Sequence, residues 1–234
     1  MKNYFRIAKY HIERFFFDNY AIPKVKSDKI SKYLLKKYLP HNPVIIDCGA
    51  HDGSDSVELA RMLKGEIHAF EPVENLFARL KVNAKKFPNI ACYQIALSDK
   101  NGQQDFYISE GRSDASSSLL IPKEHIYDHP DTFFKSKISV NALTLDSWAE
   151  INEIKQVDLL WLDMQGFELN MLEVSKKILP TVKVIHTEVS TKETYSGVAQ
   201  YGEYRRFLET KGFKVVLEAI PAGWDMGNVL FVRG

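Results

Sequence analysis

Four carboxylates and a pair of glycines carry most of the chemistry legible in this chain. Val44-Ile45-Ile46-Asp47-Cys48-Gly49-Ala50-His51-Asp52-Gly53 reads as a buried strand with an acid near its tip, running through a two-glycine turn into a helix. About twenty residues later, Ile67-His68-Ala69-Phe70-Glu71-Pro72 is a second short apolar run ending in a carboxylate. Two further apolar runs, 157–163 and 182–188, end in Asp163 and Glu188. Glycine lets a backbone approach a ligand closely, and a carboxylate can accept from both hydroxyls of a ribose. Adjacent strand tips furnished in this way make a nucleoside-binding crevice.

The spacing selects among nucleosides. A dinucleotide fold uses G-x-G-x-x-G and seats a pyrophosphate on the helix N-terminus. Here Gly49 is followed by three residues and then Gly53, the middle glycine is missing, and Asp47 and Asp52 flank the turn. Those acids repel a pyrophosphate but suit a cationic sulfonium with an amino-acid tail. The pattern resembles motif I of the S-adenosylmethionine-dependent methyltransferases, with Glu71 as the ribose acid. On that reading Asp47, Gly49, Ala50, His51, Gly53, Glu71 and Pro72 surround the donor. Ser56, at the helix start, suits its carboxylate, and Ala96, Leu97 and Ser98, with Asp99, are placed for the adenine edge. Asp163 also adjoins the donor.

These turns need elements to hold them. From Val44 onward strands and helices alternate, which predicts a parallel sheet covered on both faces. Strands are expected at 44–48, 66–70, 90–97, 157–163, 182–188 and 213–219. A helix is expected near 55–64, opened by the capping-box spacing of Asp55 and Glu58 and stopped by Gly65. Others are expected at about 73–87, at 145–151 with Thr144 as N-cap, at 168–179 and at 203–211. Residues 100–143 break the alternation. Asn101-Gly102 is a hairpin signal, 104–109 an added strand, 113–118 a serine-rich loop and 138–143 a returning strand. A last strand at 228–232 follows 213–219 with no helix between, so the two form an antiparallel hairpin. Together these predict an α/β architecture, a mostly parallel sheet with a terminal antiparallel hairpin and helices on both faces, which is the class I (Rossmann-like) fold that the methyltransferase resemblance implies.

At 234 residues and 45% hydrophobic, the chain can bury one full core. Its two cysteines, Cys48 and Cys92, fall in apolar strands as buried thiols, which suits a reducing, cytoplasmic setting. No secretory signal pattern and no span-length apolar run is visible. The overall charge of +1 is uneven: residues 1–40 carry +7 and the remainder −6. Residues 1–39 therefore read as a basic, aromatic N-terminal helical extension, ahead of a methyltransferase domain at 40–234. Its apolar face docks on the domain or meets a membrane surface or lipid-linked acceptor. His11, His41, His68, His125 and His129 show no metal-ligand spacing.

The segment Asp158-Leu159-Leu160-Trp161-Leu162-Asp163-Met164-Gln165-Gly166-Phe167-Glu168 resembles the signature of the FkbM-type methyltransferases, D-x-x-K-x-D-x-E-G-x-E. Asp158, Asp163, Gly166 and Glu168 are kept; Trp161 stands where lysine is usual and Gln165 where glutamate is usual. Gly-Ala-His-Asp-Gly at 49–53, Ala96-Leu97-Ser98-Asp99, Leu143-Thr144-Leu145-Asp146 and the closing 228–233 run extend the likeness over about 40–234. The resemblance implies O-methylation of a hydroxyl on a sugar, glycan or natural product, with S-adenosylmethionine as donor.

Such a hydroxyl must be aligned with the methyl group and must lose its proton, which calls for a base, a metal or both. Asp163 and Glu188, at crevice-facing strand ends, are the catalytic candidates. They can hold Mg²⁺ or Ca²⁺, or one can act as base. His186, two residues before Glu188 on the same strand face, is a third candidate, against the commoner role of a hydrogen-bonded core histidine. Nucleic acid is disfavoured, because the turn after Asp163 has no D/N-P-P-Y-like sequence and the region is acidic. The competing class is a catalytically silent donor-binding scaffold, suggested by the departures at Trp161 and Gln165.

Overall fold

The computed structural model describes residues 29–111, 114–123 and 131–234. Val-Ile-Ile-Asp-Cys forms β1 (Val44–Cys48), apolar toward both faces, as a central parallel strand must be. It pairs in parallel register with β2 (Glu66–Phe70) on one side and β7 (Leu159–Leu162) on the other. With β3 (Ile90–Tyr93), β8 (Val184–Ser190), β9 (Phe213–Ala219) and β10 (Met226–Arg233) they form a seven-stranded sheet, ordered β3-β2-β1-β7-β8-β10-β9. Connections leave β1 toward β2 and later return to β7 on its other side, so the strand order reverses between β1 and β7. Ligands in open α/β sheets settle at that point, beyond the strands' carboxyl ends. β10 inserts antiparallel between β8 and β9, giving the expected terminal hairpin. This is the Rossmann-like fold of class I methyltransferases, reached through a mostly parallel α/β sheet.

Helices cover both faces. On one, Ile46, Leu160 and Ile185 pack against Trp148 of α3 (Leu145–Ile151), Met171 and Leu172 of α4 (Glu168–Val174), and Leu208 of α5 (Tyr201–Thr210). On the other, Ile45, Leu159 and Val184 pack against Leu59 of α1 (Ser54–Met62) and against Ile30, Leu34 and Leu35. α2 (Glu74–Ala84) buries Leu80 against Ala69.

The last two residues, Leu34 and Leu35, belong to a 3-10 turn, Lys32–Lys37. Residues 30–39 thus contribute to the core of the domain instead of standing outside it, with Leu35 fully buried. The same turn explains why no capping box forms on α1. Its N-cap is Gly53, with no side-chain cap. The carboxylates of Asp55 and Glu58 turn to Lys32 Nζ, at 2.6 Å for Glu58. Residues 1–28, with the remainder of the basic aromatic stretch, lie outside the described residues, as do His125 and His129.

Residues 96–143 depart from the sequence reading in two places. The expected strand 90–97 divides: 90–93 joins the large sheet, while β4 (Ala96–Leu97) enters a second sheet, ordered β4-β6-β5. Asn101-Gly102 does not close a hairpin between paired strands. β4 and β5 (Gly102–Gly111) both bond to β6 (Thr132–Leu143), the first parallel and the second antiparallel. A strand with two free edges outcompetes the local turn. Thr144 caps α3 as expected, its hydroxyl accepting from Ser147 N at 3.1 Å. No helix among the described residues is long and apolar enough to cross a membrane. Cys48 and Cys92 are free thiols.

Candidate functional site

The carboxyl ends of β1, β2 and β7 open into a cleft of about 640 Å³. From the sequence candidates it gathers Gly49, His51, Glu71, Pro72, Ala96, Leu97 and Asp163. Both glycines of the turn beside it come close to neighbouring elements. Gly49 has φ +80°, and a Cβ there would lie 1.9 Å from the Asp163 carbonyl oxygen. Gly53 has φ +82°, and a Cβ would lie 2.5 Å from Leu80 Cδ1 on α2. The glycine pair therefore brings the β1 turn onto β7 and α1 onto α2, and the cleft lies beside that contact.

Glu71 is buried at the cleft wall. One carboxylate oxygen accepts from His51 N at 3.0 Å and the other from Val73 N at 2.8 Å. Burial outweighs those bonds and pushes its pKa up to about 8. Each oxygen keeps a lone pair for a further donor. His51 holds φ +51°, a left-handed conformation that side chains other than glycine seldom take. Its Nε2 lies 2.9 Å from Asp114, which Arg79 also grips at 3.1 Å, so the segment 114–119 is tied across the cleft mouth.

Asp47, Ala50, Gly53, Ser56 and Ser98 stand behind the cleft and do not line it. Ser56 Oγ donates to Asp47, and both are buried beneath the turn. Among the described residues the other Asp47 oxygen has no partner, and burial raises this carboxyl to about 7. Ser98 is fully buried; Gln104 Nε2 donates to its hydroxyl at 2.5 Å.

A second, narrow cavity adjoins the first along Gln165, which lines both. Glu188, on β8 one residue past the end of its pairing with β7, is on its wall. Gln165 Nε2 donates to Asp163 Oδ1 at 2.7 Å and to Glu188 Oε2 at 3.1 Å, so a single amide bridges the two carboxylates. Tyr195 Oη lies 3.2 Å from Gln165 Oε1 and 2.7 Å from the Ser116 carbonyl, which orients the amide with its NH₂ toward the acids. Burial raises the Asp163 carboxyl above the usual range. Glu168 accepts from Met164 N at 2.8 Å, and burial lifts it to about 7. Gln165 itself is at φ +52°, so the β1 and β7 turns each present a polar residue in a left-handed conformation to the cleft.

His186 stands apart from this group. Its ring stacks on Trp161 at 3.5 Å and 1°, under Lys32 Nζ, on the sheet face that residues 30–39 cover. Burial lowers its pKa to about 3, so it stays neutral, and it lines neither cavity. His186 and Glu188 alternate onto one face of β8, but His186 lies opposite Trp161 inside the β7–β8 pairing, whereas Glu188 lies one residue past its last pair, Leu162–Thr187. Trp161, where lysine is usual in the resembling signature, is the ring that makes this stack.

Sequence reasoning assigned no role to Gln165, Tyr195 or Asp114. Gln165 was visible as a departure from a motif. Tyr195 and Asp114 sit in irregular connections, without a period to mark them.

Residues 47–215 match the family described as Methyltransferase FkbM domain. The chain is 32% identical over 175 residues to the 2-O-methyltransferase NoeI of Sinorhizobium fredii, covering 72% of each protein. Its fold is shared with the fibrillarin pre-rRNA processing protein of Methanococcus jannaschii (TM-score 0.50, 16% identity, 82% of this chain and 67% of that one). It is likewise shared with the magnesium protoporphyrin IX methyltransferase of Synechocystis PCC 6803 (TM-score 0.50, 13% identity, 86% and 74%). The cleft walled by Gly49 and Glu71, the strand-end acids and the match over 47–215 agree: the chain belongs to the FkbM family of S-adenosylmethionine-dependent methyltransferases.

Proposed function

We propose that the chain methylates a hydroxyl group on a sugar, glycan or related natural product. The observation that carries this reading is the pairing of Asp163 and Glu188 through the Gln165 amide, between two adjoining cavities. The larger cleft suits the donor by its place beyond the β1, β2 and β7 ends and by a buried acid in Glu71 for the ribose hydroxyls. When bound, S-adenosylmethionine supplies an already activated methyl group on a cationic sulfur. The protein's part is to align the acceptor, exclude water and take a proton. Glu71 holds the ribose, with Gly49, Pro72, Ala96 and Leu97 shaping the cleft around the donor. Asp163 adds negative charge beside the sulfonium, and Glu188, facing the second cavity, takes the hydroxyl proton. Similarity to a 2-O-methyltransferase supports oxygen as the methylated atom.

The described residues fit a divalent ion poorly. The amide of Gln165 stands between Asp163 and Glu188, and among the described residues no group of three His, Cys, Asp or Glu side chains is placed to hold one. No step is assigned to Mg²⁺ or Ca²⁺. In residues 1–39, the stretch before residue 29 is assigned to acceptor placement or surface attachment.

Mass-spectrometric detection of methylated product from a panel of glycosides, with labelled donor, tests the reading. Glu188→Gln is expected to lower turnover by a factor of about 10² to 10⁴ while the donor still binds, the usual range for a lost general base. Activity is expected to survive a chelator. A folded Glu188→Gln protein with undiminished turnover removes the proposed base.

A further inference from the structure

Lys32 lies outside every motif of the donor site, yet its ammonium sits behind the turn that walls the donor cleft. Resting on the donor reading above, we propose that Lys32 is a positioning residue for donor binding. From the 3-10 turn it takes the place of the lysine that the resembling signature carries at position 161, and it clamps the start of α1 onto the ends of β1 and β7.

Four observations carry this. The first is burial: the Lys32 side chain is only 9% exposed, and a lysine is seldom so deep without partners. Its Nζ donates to Asp55 and, at 2.6 Å, to Glu58, both on α1, and lies 4.9 Å from the centre of the Trp161 ring. The second is what the clamp joins. Asp55 is held by Lys32, and the next residue, Ser56, donates to Asp47 on β1. Gly53, two residues before Asp55, is packed on Leu80. A release at Asp55 is therefore felt in the Gly49–Gly53 turn. The third is charge. Burial raises the Asp47 carboxyl to about 7; the Asp55 and Asp163 charges add to this, and the Ser56 bond and the Lys32 charge oppose it. Without an ammonium on Asp55, the start of α1 would be repelled by the two buried acids beneath it. The fourth is exclusion. Trp161 pairs with Asp47 of β1 and with His186 of β8, so its side chain rises in the layer between the sheet and α1. The indole, stacked on His186, fills that layer and offers its face to the Lys32 ammonium, as a cation–π pair. A lysine at 161 would bring a second ammonium into the same layer, so the chain accommodates one or the other.

The test uses the full chain, calorimetry with S-adenosylmethionine and its demethylated product, and thermal melting. Lys32→Met keeps the stem and removes the charge; it is expected to raise the donor dissociation constant about tenfold or more, and Lys32→Arg to stay within about threefold. Trp161→Lys alone sets two ammoniums together and is expected to weaken the donor by a similar factor. The double substitution Lys32→Met/Trp161→Lys is expected to bind within about threefold of wild type and to melt above Trp161→Lys. A purely structural loss at each position would add, leaving the double variant worse than either single one, and that result overturns the proposal. So does a folded Lys32→Met protein whose donor affinity lies within about twofold of wild type. If Lys32→Met does not fold, the double variant decides: recovered folding and binding support the exchange, and failure of both overturns it. A wild-type protein that binds no donor removes the donor reading itself, whereas the melting comparison needs no ligand and still tests the exchange between positions 32 and 161.

Discussion

On the proposed reading, Glu71 makes donor binding a titration. Its carboxyl is held at about 8 by burial, against an ordinary 4.5, and the ribose hydroxyls require the ionised form as acceptor. With a pKa of about 8, about 9% of the cleft is ionised at pH 7 and about half at pH 8. Apparent affinity scales with that fraction. The donor dissociation constant is therefore expected to be about elevenfold above its alkaline limit at pH 7, about a hundredfold at pH 6 and about twofold at pH 8. The sign is fixed by the direction of the shift: a raised acid is protonated in the free protein, and binding expels the proton. Calorimetry at pH 7 in buffers of different ionisation enthalpy is expected to register close to one proton released per donor bound. Asp47 and Glu168, both near 7, lie behind the turn and on the second cavity, so Glu71→Gln serves as the control. That variant is expected to bind weakly and to lose most of the slope. A wild-type dissociation constant that stays flat from pH 6 to 9, or a slope kept intact in Glu71→Gln, refutes the assignment of Glu71 to the ribose.

Other consequences follow from packing. Gly49→Ala sets a Cβ 1.9 Å from a backbone oxygen at a positive φ; denaturant unfolding is expected to show a loss of more than about 2 kcal/mol. Leu35→Ala is expected to cost about 2–5 kcal/mol, as for other fully buried leucines. Truncation before residue 29 is expected to leave donor affinity nearly unchanged, whereas truncation before residue 40 strips Ile30, Leu34 and Leu35 from the sheet and lowers the melting temperature sharply. In the free protein, the raised acids Glu71, Asp47 and Glu168 bind more protons folded than unfolded. Stability is thus expected to fall as pH rises from about 4 to about 8, seen as a declining melting temperature, and saturating donor should flatten that decline.

What the chain disclosed was its periodic part. The central strands β1, β2 and β7 announce themselves as short apolar runs because a parallel strand buried on both faces tolerates little else. Thr144 announced a helix because its hydroxyl competes with no tertiary partner. Asp55 and Glu58 had the right spacing for a cap, yet a lysine 23 residues upstream of Asp55 took both carboxylates. Asn101-Gly102 had the right chemistry for a hairpin, yet β6 offered two edges at once. Each outcome was decided by a partner distant in sequence, which a local window does not contain. The site shows the same division. Gly49, Glu71 and Asp163 lie at strand ends and were legible from position; the link from Gln165 to Glu188 spans 23 residues and the one from Tyr195 to Ser116 spans 79. His186 shared a face with Glu188 by alternation, but alternation does not say where the neighbouring strand β7 stops.

The segment 114–122 touches both cavities. Asp114, Ala115, Ser117 and Leu119 wall the donor cleft, while the Ser116 carbonyl takes the Tyr195 hydroxyl and Pro122 bridges to Tyr195 on the far side. Ser118 Oγ fastens the same segment to the Gln165 carbonyl, on the partition itself. A strap held at both sites cannot be ordered by one occupant without being ordered for the other. Donor and acceptor affinities should then be thermodynamically coupled, each ligand changing the other's dissociation constant by one common factor.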